Sequence, residues 1–210
     1  MKVDRSKYVI MGIDPGSKAC GWAVGTMDGV LIDSGSIVHP DKMETHLRIF
    51  ETAERLAEIG LKYGVQSYYC EAPLVYQGAK TALVLGALSG IINYIIWKTS
   101  EGLAVNFIES SLVRSMIGVP SLKRPKGKEL PDGAVKANAL KWIRTLMRDM
   151  GLPYKKSKPV PLGEEDRVEA IGIFWAGCSE LSAAIDGAID EIDVALADMT
   201  AKHEKEKKRK

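Results

Sequence analysis

The chain predicts an α/β fold built on a five-stranded mixed sheet flanked by helices. Three observations carry this. Three short strand-like runs open the chain and are joined by tight turns. Two later strand-like runs are each reached through a segment of helical length. Everything after them has helical periodicity. Short turns require antiparallel pairing, whereas strands reached through a helix pair parallel.

The elements follow in order. Tyr8–Ile13 is a short apolar strand. Gly21–Gly25 and Val30–Val38 continue it as a meander, with "MDG" (Met27–Gly29) as the turn signal. Leu47, Phe50, Leu56, Ile59 and Leu61 then lie roughly on one face of a helix from about Thr45 to Tyr63. "SYYCE", Ser67–Glu71, is a strand. Ala79 to Lys98 is a long apolar helix rich in small residues, and Val105–Ile108 is another strand. Ser110–Ile117 is helical, with Ser110 or Ser111 as a candidate cap. The proline- and lysine-bearing loop Gly118–Gly133 precedes an amphipathic basic helix, Ala134–Met150. A second loop, Gly151–Gly163, leads to a helix from Glu164 to Gly177. A further helix runs from Glu180 to Thr200 and ends in a frayed charged tail. Residues 1–180 thus form one domain and 181–210 a C-terminal helix and tail.

Composition limits the function classes. Hydrophobic residues are 46% and charged residues 27% of 210, a globular balance. No apolar run reaches the roughly 20 residues that span a bilayer, and the charged start argues against a signal peptide. Cys20, Cys70 and Cys178 are odd in number and scattered, which fits reduced, buried thiols in a cytoplasm-like compartment. Net charge is only +2 but unevenly spread. Residues 121–160 hold 11 Lys/Arg against 3 Asp/Glu, and residues 161–200 hold 1 against 10. Such asymmetry points to a basic surface for a polyanion beside an acidic centre, or to two segregated solvated faces.

Four carboxylates define that centre. Asp14 ends the first strand and Glu71 ends the fourth, both after apolar runs. "EEDRVEAIGIFWAG" places Asp166 and Glu169 three apart on one helical face, whose following apolar residues dock it on the sheet. A buried carboxylate is costly unless paired or bound to metal. Four in one pocket need a cation, and hard oxygen ligands suit Mg²⁺ or Mn²⁺ rather than zinc. Two such ions activate water against a phosphodiester. The bland alternatives are a turn at Asp14-Pro15-Gly16 and helix-start acids at Glu164–Asp166; neither explains Glu71.

These residues resemble the RuvC family of Holliday-junction resolvases, in the RNase H-like superfamily. "GIDPGSKACGWAV" is similar to the family's opening strand. "CEAPLVYQGAKTALVLGALSG" is similar to its catalytic Glu, loop and helix. "SSLVRSMIGV", "GAVKANALKWI" and "EDRVEAIGI" follow in family order. The resemblance covers Tyr8 to Gly177. It implies an RNase H-like fold, a homodimer that nicks a four-way DNA junction symmetrically, and catalysis with two Mg²⁺ or Mn²⁺ ions on Asp14, Glu71, Asp166 and Glu169. Two departures stand out. Glu169 replaces the usual Asp, so that Glu165 is a candidate to share its work. The stacking aromatic expected after the catalytic Glu is Leu74 here, with Tyr76 two residues on.

DNA contacts require cations beside the acids. The candidates are Arg114, Lys123, Arg124, Lys126, Lys128 and Lys136, with Leu74 and Tyr76 for stacking. Lys136 resembles the family's active-site lysine. Lys141, Arg144 and Arg148 extend the basic face. Trp97, Trp142 and Trp175 read as core residues, and His39, His46 and His203 form no constellation. The apolar helix from Ala79 is either buried on both sides or shared with a partner, and the resemblance favours a dimer interface. Other readings are a nuclease for other branched DNA or RNA, a DNA-structure binding protein without catalysis, and an actin-like nucleotide-binding protein. The small size and long basic loop suit a phage or mobile-element protein.

Overall fold

The computed structural model describes residues 3–73, 79–123, 129–131, 133–153 and 160–207. Leu74, Tyr76, Arg124, Lys126 and Lys128 lie outside these residues. A 3₁₀ turn at Arg5–Lys7 is followed by strands β1 (Val9–Asp14), β2 (Ala19–Thr26), β3 (Leu31–Val38), β4 (Ser67–Glu71) and β5 (Val105–Ile108). Helices α1 (Thr45–Tyr63) and α2 (Ala79–Thr99) flank β4 in sequence. Helices α3 (Ser110–Met116), α4 (Ala134–Asp149) and α5 (Glu164–Lys207) follow β5. The sheet order is β3-β2-β1-β4-β5. β1, β2 and β3 pair antiparallel, and β1–β4 and β4–β5 pair parallel, as the connection lengths require.

Both faces of the sheet are covered, which is why β1 reads as a continuous apolar run. On one face Ile10, Ala23, Tyr69 and Ile108 pack with Leu140, Ile143, Ile171 and Phe174 of α4 and α5. On the other, Met11, Ile13, Val24 and Tyr68 pack with Leu56 of α1 and with Leu88, Ile92 and Ile96 of α2.

Helix α5 rests directly on the sheet because three glycines lie beneath it. A Cβ on Gly12 would fall 2.4 Å from the Phe174 nitrogen and 2.5 Å from the Ala170 carbonyl oxygen. One on Gly21 would fall 1.9 Å from the Asp166 carbonyl oxygen, and one on Gly25 would strike the Phe174 ring.

Five expectations are corrected. The two helices placed after Gly163 are one helix, Glu164–Lys207, and the tail expected to fray is helical through Lys207. Gly177 reads as a terminator but is a contact residue, since its Cβ position lies 2.5 Å from the Tyr69 ring. Trp97 is not core: it is 54% exposed, whereas Trp175 is buried and donates Nε1–H to the Gly29 carbonyl. Finally, α2 and residues 164–195 of α5 are long and apolar enough by length and composition to cross a bilayer. Interspersed Gly, Ala and Ser hide this from a search for unbroken apolar runs. In the fold, α5 lies against β1 and β2, and α2 buries only one face, chiefly against α1.

Candidate active site

β1 and β4 are parallel neighbours with Ile13 beside Cys70, so their ends bring Asp14 and Glu71 together. Asp14 also lies opposite Gly21 of β2, where the Asp166 backbone rests. The first turns of α5 therefore arrive beside Asp14, with Asp166 and Glu169 on the facing side. All four carboxylates line one cleft of about 650 Å³, together with Ser110, Arg114 and Lys136. Pro15, Gly16, Ala72 and Pro73 form its rim.

The electrostatics show concentrated negative charge. Burial pushes the Asp14 carboxyl well above its ordinary value, and Glu169, Glu71 and Asp166 push it further. Glu71 is raised by burial and then by Glu169, against a hydrogen bond with Asp14 and the nearby Lys136 and Arg114. Asp166 is raised chiefly by burial. Burial opposes the charge on Lys136, but its 2.7 Å ion pair with Glu169 and the field of Asp14 and Asp166 hold its pKa above the usual lysine value. Ser110 donates its hydroxyl to the Glu71 carboxylate.

Among the described residues, no three Asp, Glu, His or Cys side chains close on one point as an ion cage. Lys136 holds Glu169 and Ser110 holds Glu71, so the acids line the cleft instead of converging. The donor set still fits a hard cation. It is all carboxylate, partly buried and mutually repelling, and among the described residues two cations, Arg114 and Lys136, stand on its walls.

Other expected residues fall in different places. Glu165 is exposed, pairs with Arg144 at 4.0 Å and does not line the cleft. Lys123 is exposed and also outside the cleft lining. Arg148 is paired with Asp149 at 2.8 Å. His39 is buried against Thr52, at 2.7 Å from its hydroxyl, and His46 lies 3.3 Å from Glu44. Sequence reasoning missed Ser110 as a partner of Glu71, taking it only for a cap. It also missed Arg167, whose guanidinium joins Glu164, Ser34 and Pro153. The one signal was a basic residue standing alone in an acidic stretch.

A family model described as crossover junction endodeoxyribonuclease RuvC matches residues 10–123. That stretch contains Asp14, Glu71 and Arg114 and ends before Lys136, Asp166 and Glu169. The curated crossover junction endodeoxyribonuclease RuvC of Dichelobacter nodosus (strain VCS1703A) is 29% identical over 116 residues, which is 52% of this chain and 62% of that protein. The match thus spans less than two thirds of that relative. The solved structure of T. thermophilus RuvC in complex with Holliday junction substrate aligns with a TM-score of 0.61 and 16% identity, covering 84% of this chain and 96% of that one. The yeast mitochondrial Holliday junction resolvase Ydc2 aligns with a TM-score of 0.54 and 8% identity, covering 81% of this chain and 77% of that one. At such identities the likeness is one of fold, and the fold is RNase H-like.

Proposed function

We propose a function from this premise: the chain belongs to the RuvC family of crossover junction endodeoxyribonucleases. It is a structure-selective, metal-dependent endonuclease that resolves four-way DNA junctions by paired symmetric nicks. The observation that carries this is the meeting of Asp14, Glu71, Asp166 and Glu169 in one cleft with Lys136 and Arg114 on its walls.

Asp14, Glu71, Asp166 and Glu169 are the residues that would hold Mg²⁺ or Mn²⁺. When bound, a pair of such ions supplies an activated water and charge neutralisation for phosphodiester hydrolysis. The chain's own groups do the rest. Ser110 fixes the Glu71 carboxylate. Arg114 and Lys136 supply positive charge for the scissile phosphate; Lys136 is paired with Glu169 here, and a cation held by Glu169 would compete for that carboxylate. Lys123, and with it Arg124, Lys126 and Lys128, would add contacts to the DNA backbone. Leu74 or Tyr76 supplies the contact to opened bases. The three cysteines are free and buried, which suits a reducing, cytoplasm-like compartment.

The test is a labelled four-way junction incubated with the protein and Mg²⁺, beside linear duplex. Nicks at symmetric positions in two opposing strands are expected, with duplex spared. Tight junction binding without nicks, equal in wild type and Asp14→Asn, would make the protein a structure-specific binder instead.

Paired nicking calls for two protomers, and α2 offers the surface. Leu83, Gly86, Ala87, Gly90, Tyr94 and Trp97 form an uncovered stripe at spacings of three and four. Leu83 is 74% exposed, and a side chain at Gly86 or Gly90 would meet nothing. An isologous contact along this stripe presents two clefts to a two-fold junction. Gly90→Arg is therefore expected to fold normally but to sediment as a single protomer and lose paired cutting. A Gly90→Arg protein that still sediments as a dimer places the interface elsewhere.

A further inference from the structure

The geometry points to Arg167 as a positioning residue that holds the first turns of α5, and with them Asp166 and Glu169, at the cleft. This role rests on the nuclease reading above. Asp166 and Glu169 face the cleft, whereas Glu164 and Arg167 lie on an adjoining face of the same helix and are absent from the cleft lining. The Arg167 side chain is 14% exposed and that of Glu164 is 8% exposed. Arg167 Nε donates to Glu164 Oε2 at 3.1 Å, and Nη2 donates to Oε1 at 2.7 Å. Nη1 donates to Ser34 Oγ at 2.9 Å, on β3. Nη2 also donates to the Pro153 carbonyl at 3.1 Å, on the segment after α4. One guanidinium thus ties the start of α5 to the sheet and to the chain leaving α4.

The start of a helix needs such help. Its first turn has few intrahelical bonds and frays unless capped. Asp166 sits in that first turn, and Glu169 in the next. The backbone just before is already pressed on β3, since a Cβ on Gly163 would lie 2.4 Å from Ser36 Oγ. The planar fork of Arg167 adds four directed bonds that a lysine cannot reproduce. It also neutralises Glu164, which keeps a fifth carboxylate out of the charge balance of the cleft. A positioning residue of this kind acts on how well the ligand carboxylates are held, so its signature is metal affinity.

Arg167→Lys is the discriminating variant, with Ser34→Ala removing a single contact as a milder second. Calorimetric Mn²⁺ titration should show affinity about tenfold weaker for Arg167→Lys and a smaller loss for Ser34→Ala. The Mn²⁺ level that half-saturates cleavage should rise in step, and cleavage should recover at saturating Mn²⁺. Junction binding in EDTA should stay within about twofold of wild type. A merely structural role would lower the melting temperature but leave Mn²⁺ affinity at the wild-type value, and that result overturns the assignment. If wild type itself takes up no Mn²⁺, the nuclease reading fails first. The clamp is then judged by hydrogen exchange over residues 163–170, and unchanged exchange in both variants overturns it.

Discussion

Asp14→Asn should abolish junction nicking, by on the order of 10³-fold, while making the metal-free protein more stable. Both effects come from the same burial. Asp14 is enclosed beneath the cleft, and three other carboxylates add to the cost of its charge. Its pKa is raised in the folded state, so folding favours the protonated form. The stability it contributes is fully present below the ordinary value of 3.8 and is lost as pH rises through the raised folded value. The metal-free wild type loses that contribution as pH rises, whereas asparagine carries no charge to penalise. A gain on the order of 1 kcal/mol would raise the melting temperature by about 2–4 °C. Glu71 and Asp166 shift in the same direction, so Asp14→Asn should flatten the pH dependence without abolishing it. Mn²⁺ should reverse the order by stabilising wild type, by about 2.7 kcal/mol at one hundred times its dissociation constant. Thermal melts in EDTA and in Mn²⁺ across pH 5–8 check this. An Asp14→Asn protein that melts below wild type in EDTA at neutral pH would mean that Asp14 is a structural partner, not a repelled ligand.

The strand order and the meeting of Asp14 with Glu71 were legible because both depend on local pattern. An apolar run ending in an acid marks a buried strand whose tip reaches a polar site, and connection length decides parallel from antiparallel. The helical spacing of Asp166 and Glu169 was legible for the same reason. What escaped depends on distant partners. Gly177 looks like a helix end until Tyr69 is seen against it, 108 positions earlier in the chain. Trp97 looks like core because an apolar pattern does not say which face of α2 is covered. Ser110 and Arg167 are ordinary residue types at a helix start, and their roles come from Glu71 and Ser34, which are 39 and 133 residues away. The resemblance located the acids but not the contacts that orient them.

Those orienting contacts rest on an absence of side chain, and here the second large effect arises. Gly21 stands opposite Asp14 on β2, and the Asp166 carbonyl lies where its Cβ would be, at 1.9 Å, with the carbonyl carbon at 2.2 Å. Both atoms are backbone, so no rotamer change makes room. Gly21→Ala must push the start of α5 away from β2, by an ångström or more, or distort the strand beside Asp14. Overpacking of this sort costs about 1–3 kcal/mol or more, a fall of roughly 2–12 °C in melting temperature. The larger consequence is at the cleft. A displacement of about 1 Å in a reacting group costs about 10²-fold in rate, and the displacement falls on Asp166 itself. Gly187→Ala is the matched control: the residue lies in the exposed part of the same helix, and a Cβ there meets nothing. It should gain up to about 1 kcal/mol from helix propensity and cut at the wild-type rate. Melting curves and nicking rates of the two variants separate the effects. Gly21→Ala with wild-type melting and wild-type nicking would mean that α5 does not rest on β2, and the placing of Asp166 in the same cleft as Asp14 would lose its cause.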